Sequence, residues 1–240
     1  MGNDANLKER IRRGDIVIGV GIPIGSTKSQ FEDILGKDDY GFATCDSQHS
    51  PFSEHMLVDH CNIADEVGIP IHFRIKHTQL AFLVGNIADL GPAFIEIPLV
   101  EEQSTVREAL DWFYFPPEGR RSWVGGFRWG AELGHDRPGY AKWWNENGVI
   151  CLQVESLRAI ENIRTLAMPG IDLFSWGPAD LEFDREMHPH HPFKTDDDCI
   201  KHVMDQVNDL DVRMSYRSGD PDLRNKYIDL GVTVLMERAQ

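Results

Sequence analysis

Three residues with side chains suited to catalysis lie close together in residues 43–51, which read ATCDSQHSP: Asp46, Gln48 and His49. A histidine beside a carboxylate can act as a general base whose tautomer and orientation the carboxylate fixes. The segment therefore predicts His49 as a base with Asp46 as its partner. The alternative is that Asp46 only caps the loop before the next helix, a common backbone role of Asp.

Arg74, Glu155 and Asp180 each follow an apolar run. The fork of donors in Arg74 could hold a carboxylate or another oxyanion, which Lys would do less well. Two carboxylates without a Cys or His cluster suit a hard cation such as Mg²⁺ or Mn²⁺. They could instead form a metal-free acid/base pair, as in glycoside hydrolysis. The structural alternatives are a buried ion pair for Arg74, a helix N-terminus for Glu155 and a turn for Asp180.

The elements that would position these residues alternate between short apolar runs and segments of helical periodicity. Eight strands are predicted, at residues 16–20, 40–44, 69–75, 93–99, 149–154, 173–176, 211–216 and 232–236. Helices are predicted at residues 53–67, 102–112, 156–167, 196–208 and 221–230. This order predicts a single (β/α)₈ barrel over residues 1–240, with a doubly wound open sheet as the alternative. The carboxyl ends of the strands would then bring the polar residues together.

Two segments interrupt this alternation. Residues 113–147 include WVGGFRWG, for which we expect a glycine-hinged wall or lid over the pocket. Residues after Asp180 include MHPHHP, predicted to be a solvated loop rather than a second metal site.

Composition limits the kind of partner. The chain has 240 residues, 24 Lys plus Arg and 39 Asp plus Glu, with a formal net charge of −15. Such a charge disfavours binding to nucleic acid or to an anionic membrane. Four cysteines without paired spacing, and the absence of an apolar N-terminal signal or of any run of ~20 apolar residues, predict a cytoplasmic protein.

With these residues assigned, the chain resembles the HpcH/HpaI family of class II, metal-dependent pyruvate aldolases, the 4-hydroxy-2-oxo-heptanedioate aldolases. The resemblance rests on DSQHSPF, HFRI, IEIPLVE, FPPEGRRSWVGG, QVESLRAIENI and PGIDLFSWGPADL, in the family's order. It covers nearly the whole chain and implies a (β/α)₈ barrel of the phosphoenolpyruvate/pyruvate-binding type.

The resemblance also implies an aldehyde-lyase reaction, in which a 4-hydroxy-2-oxo acid is cleaved reversibly to pyruvate and an aldehyde through a metal-bound pyruvate enolate. Glu155 and Asp180 would hold the divalent metal, Mg²⁺, Mn²⁺ or Co²⁺, and Arg74 would stabilise the enolate oxygen. His49, oriented by Asp46, would take the proton of the 4-hydroxyl. Gln48 and the segment Gly177, Pro178 and Ala179 would contact the substrate, and a homo-oligomer, a hexamer by analogy, is implied.

This sequence departs from the family's pattern at several positions. Gln48 stands where the family usually has Glu, and IKHTQLAF after the third predicted strand replaces a Pro and an Asp. LEFDREMHPHHPF follows GPAD, and MERAQ stands where relatives continue into a helix that packs on a neighbouring subunit. Two other functions are therefore considered: a carbon–carbon lyase of the citrate-lyase type that acts on a CoA thioester, and a non-catalytic barrel that binds a keto acid.

Overall fold

Eight parallel strands close into a barrel in chain order, in a computed structural model that describes residues 6–123, 129–130 and 136–239. The strands are β1 (Val17–Gly21), β2 (Phe42–Asp46), β3 (Ile71–Arg74), β4 (Phe94–Ile97), β5 (Val149–Val154), β6 (Leu173–Trp176), β7 (Arg213–Arg217) and β8 (Val234–Arg238). Strand β1 pairs with both β2 and β8, which closes the ring. The predicted (β/α)₈ barrel is confirmed, and the open sheet is excluded.

Helices surround the barrel. They are α1 (Leu7–Arg13), α2 (Lys28–Leu35), α3 (Glu54–Val67), α4 (Val84–Ala88), α5 (Gln103–Phe113), α6 (Arg137–Asn147), α7 (Leu157–Glu161), α8 (Ile163–Leu166), α9 (Pro178–Met187), α10 (Asp196–Val207) and α11 (Arg224–Asp229). Short 3₁₀ helices cover Thr78–Leu83 and Pro221–Leu223. Several helices begin where the sequence supplies a cap; Ser53, for example, accepts the N–H of Met56.

The structure corrects three predicted segments. The helix expected at residues 156–167 is divided into α7 and α8 at Asn162. The residues directly after Asp180, expected as a loop, continue α9 to Met187, because Pro178 at the first helical position starts a helix well. Helix α6 lies within the segment 113–147, where the sequence predicted no helix. Most of WVGGFRWG, residues 124–128, lies outside the described residues.

The interior of the barrel changes from apolar to polar along the strands. A small cluster at the amino ends includes Phe42, Phe94, Cys151 and Leu173. Two residues further along the same strands stand Thr44, Glu96, Gln153 and Ser175, all buried. Alternate residues of a strand face the same side of the sheet. The barrel interior is therefore lined by apolar side chains at the amino ends of the strands and by polar side chains toward their carboxyl ends. The larger core lies between the barrel and the helices.

All four cysteines are free and buried. No helix in residues 6–123, 129–130 and 136–239 is long and apolar enough to cross a membrane.

Candidate active site

A cavity of about 1220 Å³ opens at the carboxyl ends of the strands. Its lining includes Asp46, Arg74 and Arg217, together with Ser50 and Pro51 from the loop after β2. A second cavity of about 780 Å³ lies near α1 and along α6, and none of the predicted site residues lines it. Of the predicted site residues, Asp46 and Arg74 line the first cavity, which places their end of the candidate site there. The cavity lining does not include the other predicted residues: Gln48, His49, Glu155, Gly177, Pro178, Ala179 and Asp180.

Arg74, at the end of β3, is held in a fixed orientation. Its Nε donates to Oδ1 of Asp46 and its Nη2 to Oδ2, each at 2.8 Å, and its Nη1 donates to Oε1 of Gln153 at 3.0 Å. The register of β2 and β3 sets Asp46 directly beside Arg74. A guanidinium has five N–H donors, so two are left to bind a ligand.

Burial raises the pKa of Asp46, but the hydrogen bonds and charge of Arg74 outweigh it and bring that pKa below its usual range. Asp46 is therefore an ionised partner that keeps the Arg74 fork in place. Arg74 therefore forms an ion pair with Asp46, which is the structural role that the sequence analysis gave as the alternative to binding an oxyanion.

The predicted pairing of Asp46 with the imidazole of His49 is wrong. Oδ1 of Asp46 also accepts the backbone N–H of Gln48 at 2.9 Å, and Oδ2 accepts the backbone N–H of His49 at 3.3 Å. The His49 side chain is exposed, and it makes no hydrogen bond to another residue of the described ranges. Two charge-assisted bonds from a guanidinium fork are stronger than one bond from an imidazole, which explains the preference of Asp46 for Arg74.

Glu155 and Asp180 do come together, from the end of β5 and the first turn of α9. Glu155 is 3% exposed and its Oε1 accepts the N–H of Leu99 at 2.8 Å. Burial raises the pKa of Glu155 to about 8 against that hydrogen bond, and the nearby carboxylate of Asp180, which is itself exposed, raises that pKa further. Leu99, which donates this hydrogen bond, has a positive φ of 49°, an uncommon conformation for a non-glycine residue.

Gly177, between β6 and α9, makes room for the carboxylate of Glu155. A Cβ at this position would lie 2.6 Å from Oε2 of Glu155 and 2.9 Å from Nε2 of Gln153. Any larger residue would push the carboxylate away. Pro178 and Ala179 begin α9 next to Gly177. Pro178 has no N–H and the N–H of Gly177 donates to the carbonyl of Val154 at 3.1 Å, so of these three residues Ala179 has the N–H that an anion could accept.

These residues fit a divalent cation, because two adjacent carboxylates repel each other unless a cation or a proton lies between them. Within the described residues, no group of three or more His, Cys, Asp or Glu side chains is arranged to hold a metal ion. Two carboxylates would therefore supply the protein ligands and leave positions for substrate and water, as is usual for Mg²⁺. Oε1 of Gln48 is buried and has no partner in the described chain, so it is an acceptor available to a bound group.

Sequence reasoning missed a polar network inside the barrel. Glu96 on β4 accepts from Nη2 of Arg217 at 2.8 Å to each carboxylate oxygen, and His72 lies 2.9 Å away through Nε2. The other nitrogen of His72 is 2.6 Å from Oγ1 of Thr44. Burial raises the pKa of Glu96, but Arg217 and His72 outweigh it and lower that pKa overall. A charged residue in the middle of an apolar strand run was the signal that could have revealed this network.

The fold and the site together define a (β/α)₈ barrel whose carboxyl-end face holds a fixed arginine and an acidic pair. The chain belongs to the HpcH/HpaI aldolase/citrate lyase family, whose sequence profile matches residues 45–204.

Similar proteins agree with this assignment. The 2-keto-3-deoxy-L-rhamnonate aldolase of Salmonella paratyphi B is 30% identical over 181 residues, which are 73% of this chain and 64% of that protein. The crystal structure of an HpcH/HpaI aldolase from Desulfitobacterium hafniense DCB-2 superimposes with a TM-score of 0.83 at 20% identity, covering 98% of this chain and 90% of that one. The crystal structure of citrate synthase SbnG gives a TM-score of 0.79 at 20% identity, covering 98% and 91%. These two structures support the fold.

Proposed function

We propose that this chain is an aldolase that uses a divalent cation to cleave a 4-hydroxy-2-oxo acid reversibly into pyruvate and an aldehyde. The observation that carries the proposal is the acidic pair Glu155 and Asp180 near a guanidinium, Arg74, which lines a strand-end cavity and keeps two N–H donors free. The aldolase relatives named above support the same reaction class.

In the cleavage direction, the bond between C3 and C4 breaks and its electrons move to C3 and the oxygen on C2, which becomes an enolate. The 4-hydroxyl loses its proton to a base and becomes the aldehyde carbonyl, and C3 of the enolate then takes up a proton to give the methyl group of pyruvate. Arg74 directs its two remaining N–H donors toward the enolate oxygen, where negative charge develops, because Asp46 and Gln153 already hold the other three. A divalent cation held by Glu155 and Asp180 would supply further positive charge to the developing enolate.

Two other contacts complete the proposal. His49 is the candidate acceptor of the 4-hydroxyl proton, reached directly or through water, since its imidazole is exposed in the loop that continues into the cavity wall. The substrate carboxylate lies by Gly177, Pro178 and Ala179, where the N-terminus of α9 favours an anion. Gln48 contacts the bound group through its unpaired Oε1.

The test is release of pyruvate from a panel of 4-hydroxy-2-oxo acids, before and after chelation and after Mn²⁺ or Mg²⁺ is added back. Glu155→Gln should abolish the metal-dependent rate, whereas Glu108→Gln, on the exposed side of α5, should leave it unchanged. Turnover that survives exhaustive chelation would contradict the cation's role. Metal-dependent pyruvate binding without exchange of the methyl protons would favour a non-catalytic barrel, and cleavage of an acyl-CoA would favour the citrate-lyase type.

A further inference from the structure

A continuous chain of hydrogen bonds runs from the strand-end cavity into the barrel interior. Thr44 on β2 lines the cavity and is 7% exposed. Its Oγ1 lies 2.6 Å from Nδ1 of His72, and Nε2 of His72 lies 2.9 Å from Oε2 of Glu96. His72 and Glu96 are fully buried. A molecule in the cavity can therefore reach this chain of hydrogen bonds at Thr44.

The register of the strands places these residues directly below the proposed enolate contact. Thr44 pairs with His72 across β2 and β3, and Asp46 pairs with Arg74 two residues further along the same strands. Side chains two residues apart on a strand face the same side. The hydroxyl of Thr44 thus lies one layer deeper in the barrel than the pair of Asp46 and Arg74, in the wall of the same cavity.

The charges around His72 determine where its proton lies. Burial raises the pKa of Glu96, but Arg217 and His72 outweigh it, so Glu96 is ionised and can only accept a hydrogen bond. Nε2 of His72 therefore carries the proton. Burial also lowers the pKa of His72, which Glu96 only partly offsets, so the imidazole is neutral near pH 7. Its Nδ1 is then unprotonated and accepts the hydroxyl proton of Thr44.

A hydroxyl, an imidazole and a carboxylate in this order can relay a proton. When the hydroxyl of Thr44 takes a proton from a bound group, it passes its own proton to Nδ1 of His72. The imidazolium that results is stabilised by Glu96, whose two oxygens each lie 2.8 Å from Nη2 of Arg217. A path made of oxygen and nitrogen atoms suits a proton that starts on an oxygen.

We propose that Thr44 is a catalytic residue that takes the proton of the 4-hydroxyl, with His72 and Glu96 as positioning residues behind it. This role rests on the proposed function, in which the 4-hydroxyl is deprotonated as the bond between C3 and C4 breaks. The 4-hydroxyl proton moves to Oγ1 of Thr44, the Thr44 proton moves to Nδ1 of His72, and the O–H electron pair completes the aldehyde carbonyl. After the aldehyde leaves, the proton returns along the same path to water in the cavity.

Thr44 and His49 are then alternative acceptors for this proton. The imidazole of His49 is exposed, makes no hydrogen bond to another residue of the described ranges, and is not part of the cavity lining. Thr44 does line the cavity, and the imidazole behind it is held at both ring nitrogens. We therefore expect Thr44→Val to lower the rate of cleavage more than His49→Gln does.

Variants at Thr44 and His72 test the relay through steady-state pyruvate release. Thr44→Val keeps the shape of the side chain but removes the hydroxyl, and kcat should fall about 10²-fold, as on loss of a general base. Thr44→Ser keeps the hydroxyl and should recover most of the rate. His72→Gln can still donate to Glu96 but cannot take up a proton, so kcat should fall as far as in Thr44→Val, and no further in the double variant.

Ser175→Ala is the matched control. It also removes a buried hydroxyl from the barrel interior, but one that has no partner in the described chain. We expect this variant to keep the wild-type rate.

Exchange of the pyruvate methyl protons with D₂O, followed by NMR with Mg²⁺ present, separates a catalytic role from a structural one. This exchange needs the enolate but no 4-hydroxyl, so Thr44→Val should exchange at the wild-type rate although its cleavage is slow. Equal losses of exchange and cleavage would overturn the relay, because they would show damage to the whole site. Failure of Thr44→Ser to recover cleavage would overturn it too.

The same assays distinguish failure of the relay from failure of the proposed function. If wild type cleaves a 4-hydroxy-2-oxo acid and Thr44→Val cleaves it as fast, the relay is wrong and the aldolase stands. If wild type cleaves no such acid, the aldolase is wrong, and so is the role of Thr44. Slow cleavage with intact exchange in Thr44→Val, together with recovery in Thr44→Ser, would confirm that Thr44 carries the proton.

Discussion

Replacing Arg74 with Lys separates the geometry of this side chain from its charge. The guanidinium makes three hydrogen bonds, two of 2.8 Å to Asp46 and one of 3.0 Å to Gln153, keeps two donors free and lines the cavity. A lysine offers a point charge on a flexible stem and cannot pair with Asp46 in two places while also reaching an enolate oxygen. We expect kcat for pyruvate release to fall by roughly 10²–10³, the cost of losing one oriented donor to a developing oxyanion.

The assay is steady-state pyruvate release, with circular dichroism to check that the barrel is intact. The matched control is Arg164→Lys, because Arg164 also forms a two-point pair, with Asp209, but on the exposed surface. That control should keep its wild-type rate. If Arg74→Lys showed a kcat within a few-fold of wild type, the enolate contact would have been assigned to the wrong residue.

Two further changes have outcomes that follow from packing and burial. In Gly177→Ala, the new Cβ would lie 2.6 Å from Oε2 of Glu155, so the carboxylate must move, and calorimetry should show Mn²⁺ affinity about 10–100-fold weaker. His60 is 1% exposed, and its two ring nitrogens have no partner in the described chain; burial lowers its pKa from 6.5 to about 4. Since the unfolded chain then binds more protons between those values, stability should fall as pH falls through that range, by about 2 kcal/mol between pH 7 and pH 5.

Each change has a measurement that could contradict it. Unaltered Mn²⁺ binding by Gly177→Ala would show that Glu155 is not a ligand or that the loop yields freely. For His60, urea unfolding of wild type should be compared with His60→Leu, which removes the titrating group, and with His55→Gln, at an exposed position of the same helix α3. An equal pH dependence in wild type and His60→Leu would rule out the buried imidazole as its source.

The strands were predictable because parallel strands buried on both faces are short apolar runs, and all eight lie where the sequence placed them, within a few residues. The acidic pair was also predictable, since Glu155 and Asp180 each follow such a run at the carboxyl end. A (β/α)₈ barrel places the carboxyl ends of all its strands on one face, so these two positions were expected on that face. No comparable local pattern marked α6, where Pro, Gly and Trp obscure the periodicity.

The partner of Asp46 was not predictable from neighbouring residues. His49 is three residues away in the chain, whereas Arg74 is 28 residues away and meets Asp46 only through the register of β2 and β3. The network around Glu96 was missed for a related reason: one charged residue inside IEIPL was taken as part of an apolar strand. Its partner, Arg217, comes from β7 on another part of the barrel, and only the closed ring brings the two together.

The most direct test of the account is pyruvate release from a 4-hydroxy-2-oxo acid by metal-free protein to which Mn²⁺ is returned in steps. We expect no turnover without metal, full turnover at one ion per chain, and neither ion binding nor turnover in Glu155→Gln. Full activity in the metal-free protein, or stoichiometric binding of active metal by Glu155→Gln, would contradict it.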